Sequence, residues 1–151
     1  MKANHNTKKV LFLCTGNSCR SQMAEAIVNQ QLGDTWTAFS AGTDPAGFIH
    51  PKALDALEEI GILHQGESEP VENYREESFD VVITVCDQAQ ETCPVWLGEG
   101  KVIHCGFKDP AEAQGSEEEI TSVFRKVRDQ IKEEIPPLLT GIDNQDEDSH
   151  E

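Results

Sequence analysis

Val10-Leu-Phe-Leu-Cys14-Thr-Gly-Asn-Ser-Cys-Arg20-Ser-Gln-Met-Ala-Glu25 changes character twice. The run from Lys9 to Cys14 is short and continuously apolar after its lysine, the pattern of a buried strand. From Arg20 to Leu32, Met23, Ala24, Ile27, Val28 and Leu32 recur at helical spacing. Between them lies a polar turn with a glycine at position 16. The stretch therefore reads as strand, tight turn, helix, with Cys14 at the carboxyl end of the strand.

The same alternation continues along the chain. Trp36 to Ser40 reads as a second strand, closed by Ala41-Gly42. His50 to Ile60 is helical, with Pro51 suited to a first turn and Gly61 to a stop. Phe79 to Cys86 is the clearest strand and Lys101 to Phe107 a fourth. Ser116 to Leu139 carries Ile120, Val123, Phe124, Val127, Ile131 and Ile135, a long amphipathic helix. Ser116 with Glu119 forms a capping box at its start, and Pro136-Pro137 is expected to break its end. Strands alternating with helices predict a single three-layer α/β domain over residues 8–139, a four-stranded parallel sheet flanked by helices. Residues 1–7 and the acidic tail 141–151 are expected to be disordered ends.

The chain has 151 residues, with 28 acidic against 12 basic side chains and a net charge of −16. That balance argues against nucleic acid, whose binding relies on neutralising phosphates, and against anionic membranes. No apolar run approaches a membrane span, and no signal peptide is evident, so a cytoplasmic protein is expected. A local nest of backbone amides can still bind a small anion, since distant charge is screened within ~8 Å at physiological salt. The five cysteines are an odd count for a disulfide framework. Reactive thiols or metal ligation are the better readings.

Ligands of open parallel sheets bind beyond the carboxyl ends of the strands. Cys14, Cys86 and the loop holding Asp109 all fall there. The turn Thr15, Gly16, Asn17, Ser18, Cys19, Arg20, Ser21 suits a tetrahedral oxyanion. Its amides and the following helix N-terminus supply positive potential, and Arg20 can grip two oxygens. The same field favours a thiolate at Cys14, a nucleophile to which Ser21 could donate a hydrogen bond. Cys19 reads as filler beneath the loop, with a protective disulfide to Cys14 as its minor role. Cys105 reads as core packing. His50 and His64 flank a helix and read as surface or capping residues.

Cys86 and Cys93 are seven apart, too far for the tight spacing of a zinc knuckle. On a helix their Cα atoms would stand about 10.5 Å apart along the axis, beyond the roughly 7 Å a disulfide spans. A bond between them would require the segment to unwind. Two unrelated buried cysteines and a redox pair are both open on spacing alone. Asp109, stiffened by Pro110, sits where an acid could protonate a departing oxygen.

The segment from Val10 to Glu25 resembles the active-site segment of the low-molecular-weight protein tyrosine phosphatase superfamily. More narrowly it is similar to the thioredoxin-coupled arsenate reductases of that flavodoxin-like fold. The phosphatases usually carry proline after the Arg-Ser pair, whereas this chain has Gln22-Met23-Ala24-Glu25. Phe39 to Gly42 and Val127-Arg-Asp129 fit as well. The resemblance implies reduction of arsenate by a relay of Cys14, Cys86 and Cys93, with Arg20 holding the anion and Asp109 as acid. It implies thioredoxin as reductant, with glutaredoxin as the alternative. It also implies a potassium site at Asn17, Glu25 and Ser40, the remaining acidic ligand falling near Glu67 or Glu69. Otherwise no cofactor is implied. The second reading is a phosphomonoester phosphatase using Cys14, Arg20 and Asp109. Ala111 stands where such phosphatases often place a stacking aromatic residue. A third is a thiol sensor or arsenite-binding protein without turnover.

Overall fold

The computed structural model describes residues 7–87, 95, 96 and 98–149, with the side chains of residue 99 and of 143–149 outside the description. The elements run β1 (Lys8–Cys14), α1 (Arg20–Gln31), β2 (Trp36–Gly42), α2 (Pro51–Glu59), β3 (Ser78–Thr84), β4 (Glu99–His104) and α3 (Glu117–Ser149). Two 3-10 turns lie at Val71–Tyr74 and Pro110–Glu112. The four strands form one parallel sheet in the order β2-β1-β3-β4. The chain winds outward from β1 in both directions, so the crevice opens at the carboxyl ends of β1 and β3. Cys14 ends β1, and Cys86 follows β3 by two residues.

Central β1 explains its own sequence. Val10, Leu11, Phe12 and Leu13 are all fully buried, so both faces of the strand need apolar side chains. On one face Val10 and Phe12 join Met23 and Ile27 of α1, Leu57 of α2, and Phe124, Ile131 and Ile135 of α3 in a single core. On the other, Leu11 and Leu13 meet Val82, Val71, Phe79 and Trp96. Among the described residues all three helices share the first face. The second is covered by the 3-10 turn and Trp96, with Phe39, Tyr74, Phe79 and Trp96 in edge-to-face and tilted contacts. Aromatic rings supply large apolar area from few residues, which lets so short a layer close the sheet. No described helix is long and apolar enough to cross a membrane.

The capping box of α3 forms: Ser116 N donates to Glu119 Oε1 at 2.8 Å and Glu119 N to Ser116 Oγ at 3.1 Å. The expected break at Pro136-Pro137 does not occur, and α3 runs through both prolines to Ser149. Ile131, Ile135 and Leu139 are fully buried and Pro136 is buried with them. That apolar anchorage offsets the two prolines, each costing about 3 kcal/mol inside a helix through a lost hydrogen bond and a ring clash. The backbone from Gly141, expected to be disordered, continues this helix, since propagation adds residues far more cheaply than nucleation does. Residues 1–6 lie outside the description, while Thr7 meets Thr37 Oγ1 at 2.6 Å.

Helices α2 and α3 are clamped by Glu59. Its carboxylate accepts from Arg125 Nε and Nη2 at 2.9 and 2.7 Å and from Arg128 Nη1 at 2.8 Å. Arg128 also reaches the Ala56 carbonyl at 2.9 Å. These bonds hold the Glu59 carboxyl down at about 2 against an ordinary 4.5. A depressed carboxyl stabilises the fold above its unfolded value and loses that contribution as pH falls through the folded one. Stability should therefore drop between pH 4.5 and about 2, and Glu59→Gln should remove part of that dependence in urea titrations across this range.

Gly42 closes β2 against the anion turn. A Cβ there would collide with the Thr15 carbonyl oxygen and come within 3.0 Å of the Asn17 nitrogen. Both are backbone atoms and cannot swing aside. Gly42→Ala should displace the turn and weaken phosphate binding at least about tenfold, a displacement of some tenths of an ångström being enough, as titration calorimetry would show.

Candidate active site

The turn after β1 is held from outside by its carbonyl groups. The oxygens of Cys14, Thr15 and Gly16 accept from Thr43 N (3.3 Å), Asp44 N (2.9 Å) and Ala46 N (2.9 Å). Gly16 O also accepts from Ser68 Oγ at 3.2 Å, and Ser18 O from His50 N at 3.1 Å. In a trans peptide the N–H points opposite to the C=O. Carbonyls held outward thus turn the amides inward, the nest that receives an anion. The left-handed residue in the turn is Asn17, at φ 48°. Asparagine tolerates that region because its side chain bonds locally.

Asn17 is fully buried and its side chain is directed. Its Oδ1 accepts from Glu69 N at 2.7 Å, so its Nδ2 must donate, and it does so to Ser21 Oγ at 2.8 Å. Ser21 Oγ lies 3.1 Å from Cys14 Sγ. With an amide donor already on its oxygen, the Ser21 hydroxyl is set to give its proton to the sulfur. No side chain caps α1 at Cys19, so the helix N-terminus is open towards the turn.

Arg20 is buried in the first turn of α1. Its Nη1 donates to the Phe107 carbonyl at 3.2 Å and its Nη2 stands 3.6 Å from Asp109 Oδ2. Asp109 caps the 3-10 turn, its Oδ1 accepting from Ala111 N at 3.0 Å. The other carboxylate oxygen thereby faces Arg20 and the turn. A cleft of about 950 Å³ lined by Asp87, Lys108, Asp109, Glu112 and Val123 joins the acid to the residue after Cys86.

Cys14, Cys19 and Cys105 carry free thiols, whereas Cys86 is disulfide-bonded and buried. Cys93 lies outside the described residues. The bond at Cys86 therefore spares Cys14. Cys19 is pushed up to about 12, first by burial and then by Asp109, which keeps it a thiol. Cys105 rises to about 11 through burial and Glu134. It packs against the helical core.

The structure divides the proposed cation residues. Glu25 Oε1 accepts from Ser40 Oγ at 2.6 Å, and burial with help from Glu69 raises its carboxyl to about 7. Glu69 is the acid whose charge reaches Glu25, and it takes the Tyr74 hydroxyl at 3.0 Å. Asn17 belongs to the turn instead, its Oδ1 filled by Glu69 N and Gln22 Nε2. Among the described residues no group of three His, Cys, Asp or Glu side chains could hold a metal ion.

His50 caps α2 as expected, its Nδ1 accepting from Lys52 N at 3.1 Å. His64 differs from expectation: its Nε2 meets Gln22 Oε1 at 2.8 Å. Fully buried Gln22 was not legible as a site residue, because apolar periodicity is silent about polar groups in the same turn.

Comparison with known proteins agrees with this geometry. Residues 9–148 match the family model described as low molecular weight phosphotyrosine protein phosphatase. An arsenate reductase of Halalkalibacterium halodurans is 44% identical over 131 residues, covering 86% of this chain and 94% of the relative. One from Bacillus subtilis is 45% identical over 125 residues, covering 82% and 89%. A solved arsenate reductase in the oxidized state superposes with a TM-score of 0.72 at 33% identity, over 90% of this chain and 99% of the other. With a nest built around Cys14 and Arg20 and a family match over nearly its whole length, the chain belongs to the low molecular weight phosphotyrosine protein phosphatase family.

Proposed function

We propose that the protein reduces arsenate to arsenite with a three-cysteine relay. The observation that carries the reading is a disulfide at Cys86 beside a free Cys14 in an intact oxyanion turn. A simple phosphatase of this fold has no use for that bond, and the curated relatives cited above are arsenate reductases.

The turn amides and Arg20 bind the tetrahedral anion. The Cys14 thiolate, supported by the Ser21 hydroxyl, attacks arsenic, and Asp109 protonates the departing oxygen. Cys86 then attacks the Cys14 sulfur. The sulfur–arsenic electron pair stays with arsenic, arsenite leaves, and a Cys14–Cys86 disulfide forms. Cys93 attacks Cys86 and frees Cys14. The Cys86–Cys93 disulfide passes to a dithiol reductant. Thioredoxin is the favoured one, in line with a thioredoxin-dependent arsenate reductase of Corynebacterium glutamicum that superposes with a TM-score of 0.59 at 26% identity. Glutaredoxin is the alternative. Such a relay needs reducing surroundings, which places the protein in the cytoplasm. Phosphate has the same tetrahedral shape, so weak phosphomonoester hydrolysis accompanies the main reaction. Exposed Ala111 offers no ring for a phosphotyrosine.

NADPH consumption driven by arsenate, with thioredoxin and its reductase, tests this directly. The wild type should turn over, Cys86→Ser should not, and Cys93→Ser should stop after about one turnover. Vigorous hydrolysis of phenyl phosphate with no arsenate-driven turnover in any variant would overturn the reading.

Potassium completes the proposal. Glu25, Ser40 and Glu69 are an all-oxygen set suited to a hard cation, and they would hold it behind the turn that Asn17 braces. A bound cation would compensate the buried Glu25 charge. The folded carboxyl is raised, so its stabilising contribution is complete below pH 4.5 and lost as pH rises through about 7. At pH 8 the melting temperature should therefore rise with potassium chloride relative to choline chloride. Glu25→Gln should abolish that difference.

A further inference from the structure

We propose that His64 is a positioning residue for the anion turn, acting through the side-chain amide of Gln22. The inference rests on the reductase reading only in the arsenate arm of its test.

The polarity of the network follows from groups whose roles are fixed. The Gln22 amide has one end within hydrogen-bond distance of three acceptors: Asn17 O (3.1 Å), Asn17 Oδ1 (3.0 Å) and Glu67 O (2.8 Å). Two are backbone carbonyls, and the third is fixed as an oxygen by the Glu69 amide that donates to it. That end of Gln22 must be its NH2 group. The other end is then an oxygen, and it faces His64 Nε2 at 2.8 Å. His64 must carry a proton on Nε2. With the proton on Nδ1 instead, two lone pairs would oppose each other across this contact. The buried amide would have to turn over, and its oxygen would then face three acceptors.

The fold keeps room for this contact. A Cβ on Gly66 would stand 2.5 Å from His64 Nε2 and 2.9 Å from Gln22 Oε1. Burial also lowers the His64 pKa. From Gln22 the bonds continue through Asn17 and Ser21 to the Cys14 sulfur. His64 thus sets the orientation of one buried amide, and that amide holds the only left-handed non-glycine residue among those described.

The test compares wild type, His64→Ala and His64→Gln. Glutamine retains an N–H donor at similar reach. Binding of inorganic phosphate is measured by calorimetry, arsenate KM and kcat by NADPH consumption, and the His64 tautomer by nitrogen NMR of the wild type. The alanine variant should bind phosphate about tenfold more weakly and raise arsenate KM by a similar factor, with kcat within about twofold. Glutamine should restore most of both. A merely structural histidine would lower the melting temperature in both variants and leave phosphate affinity unchanged. That result, or an Nδ1–H tautomer in the wild type, overturns the proposal. If the alanine variant does not fold, the tautomer and the glutamine variant decide it. Loss of phosphate affinity without arsenate turnover in any protein would instead overturn the reductase reading and leave this inference standing.

Discussion

The site depends on a turn whose carbonyl oxygens at Cys14, Thr15, Gly16 and Ser18 are held from behind. Thr43, Asp44, Ala46, His50 and Ser68 supply the donors. These come from the chain beyond β2 and from the segment before the Val71–Tyr74 turn, neither of which is regular structure. Their amides and one hydroxyl orient the peptides of residues 14–18 and so aim the N–H groups inward. Gly42 lets the second strand approach closely enough for this, because its missing Cβ leaves space for the Thr15 carbonyl. The nest is thus made by loops pressing on a loop, with the parallel sheet fixing where each one starts.

That arrangement explains how a chain of net charge −16 can bind an anion. Inside the turn the relevant charges are Arg20, the inward amides and the uncapped start of α1. Asp109 is the one acid in contact with Arg20 among the described residues, at 3.6 Å. A carboxylate there competes with a bound anion for the Arg20 guanidinium.

Much of this was legible from residue patterns. The strand at Lys8–Cys14, the helix at Arg20–Gln31 and the capping box of α3 follow from periodicity and turn chemistry, and the structure places them within a residue or two. Cys14, Arg20, Ser21 and Asp109 were visible because the turn chemistry makes sense only if they converge. Prolines 136 and 137 misled, since local propensity cannot register that Ile131, Ile135 and Leu139 are anchored on the core. The fixed polarity of Gln22 and His64 was invisible for a different reason. It arises between residues 42 positions apart, and only the fold brings them together.

The two thiols of the turn show how local environment divides their labour. Cys14 and Cys19 are both almost wholly buried. Burial disfavours the charged form of a thiol. Cys19 obeys that rule, and the nearby Asp109 carboxylate pushes it further. Cys14 has what Cys19 lacks: a hydroxyl whose own oxygen is already occupied by an amide donor. In the proposed relay the second sulfur comes from outside the turn. Cys86 meets that requirement by position, because β3 lies beside β1 and its end delivers the cysteine to the same crevice. The topology that places the anion turn at the end of β1 thereby also brings Cys86 to the neighbouring strand end.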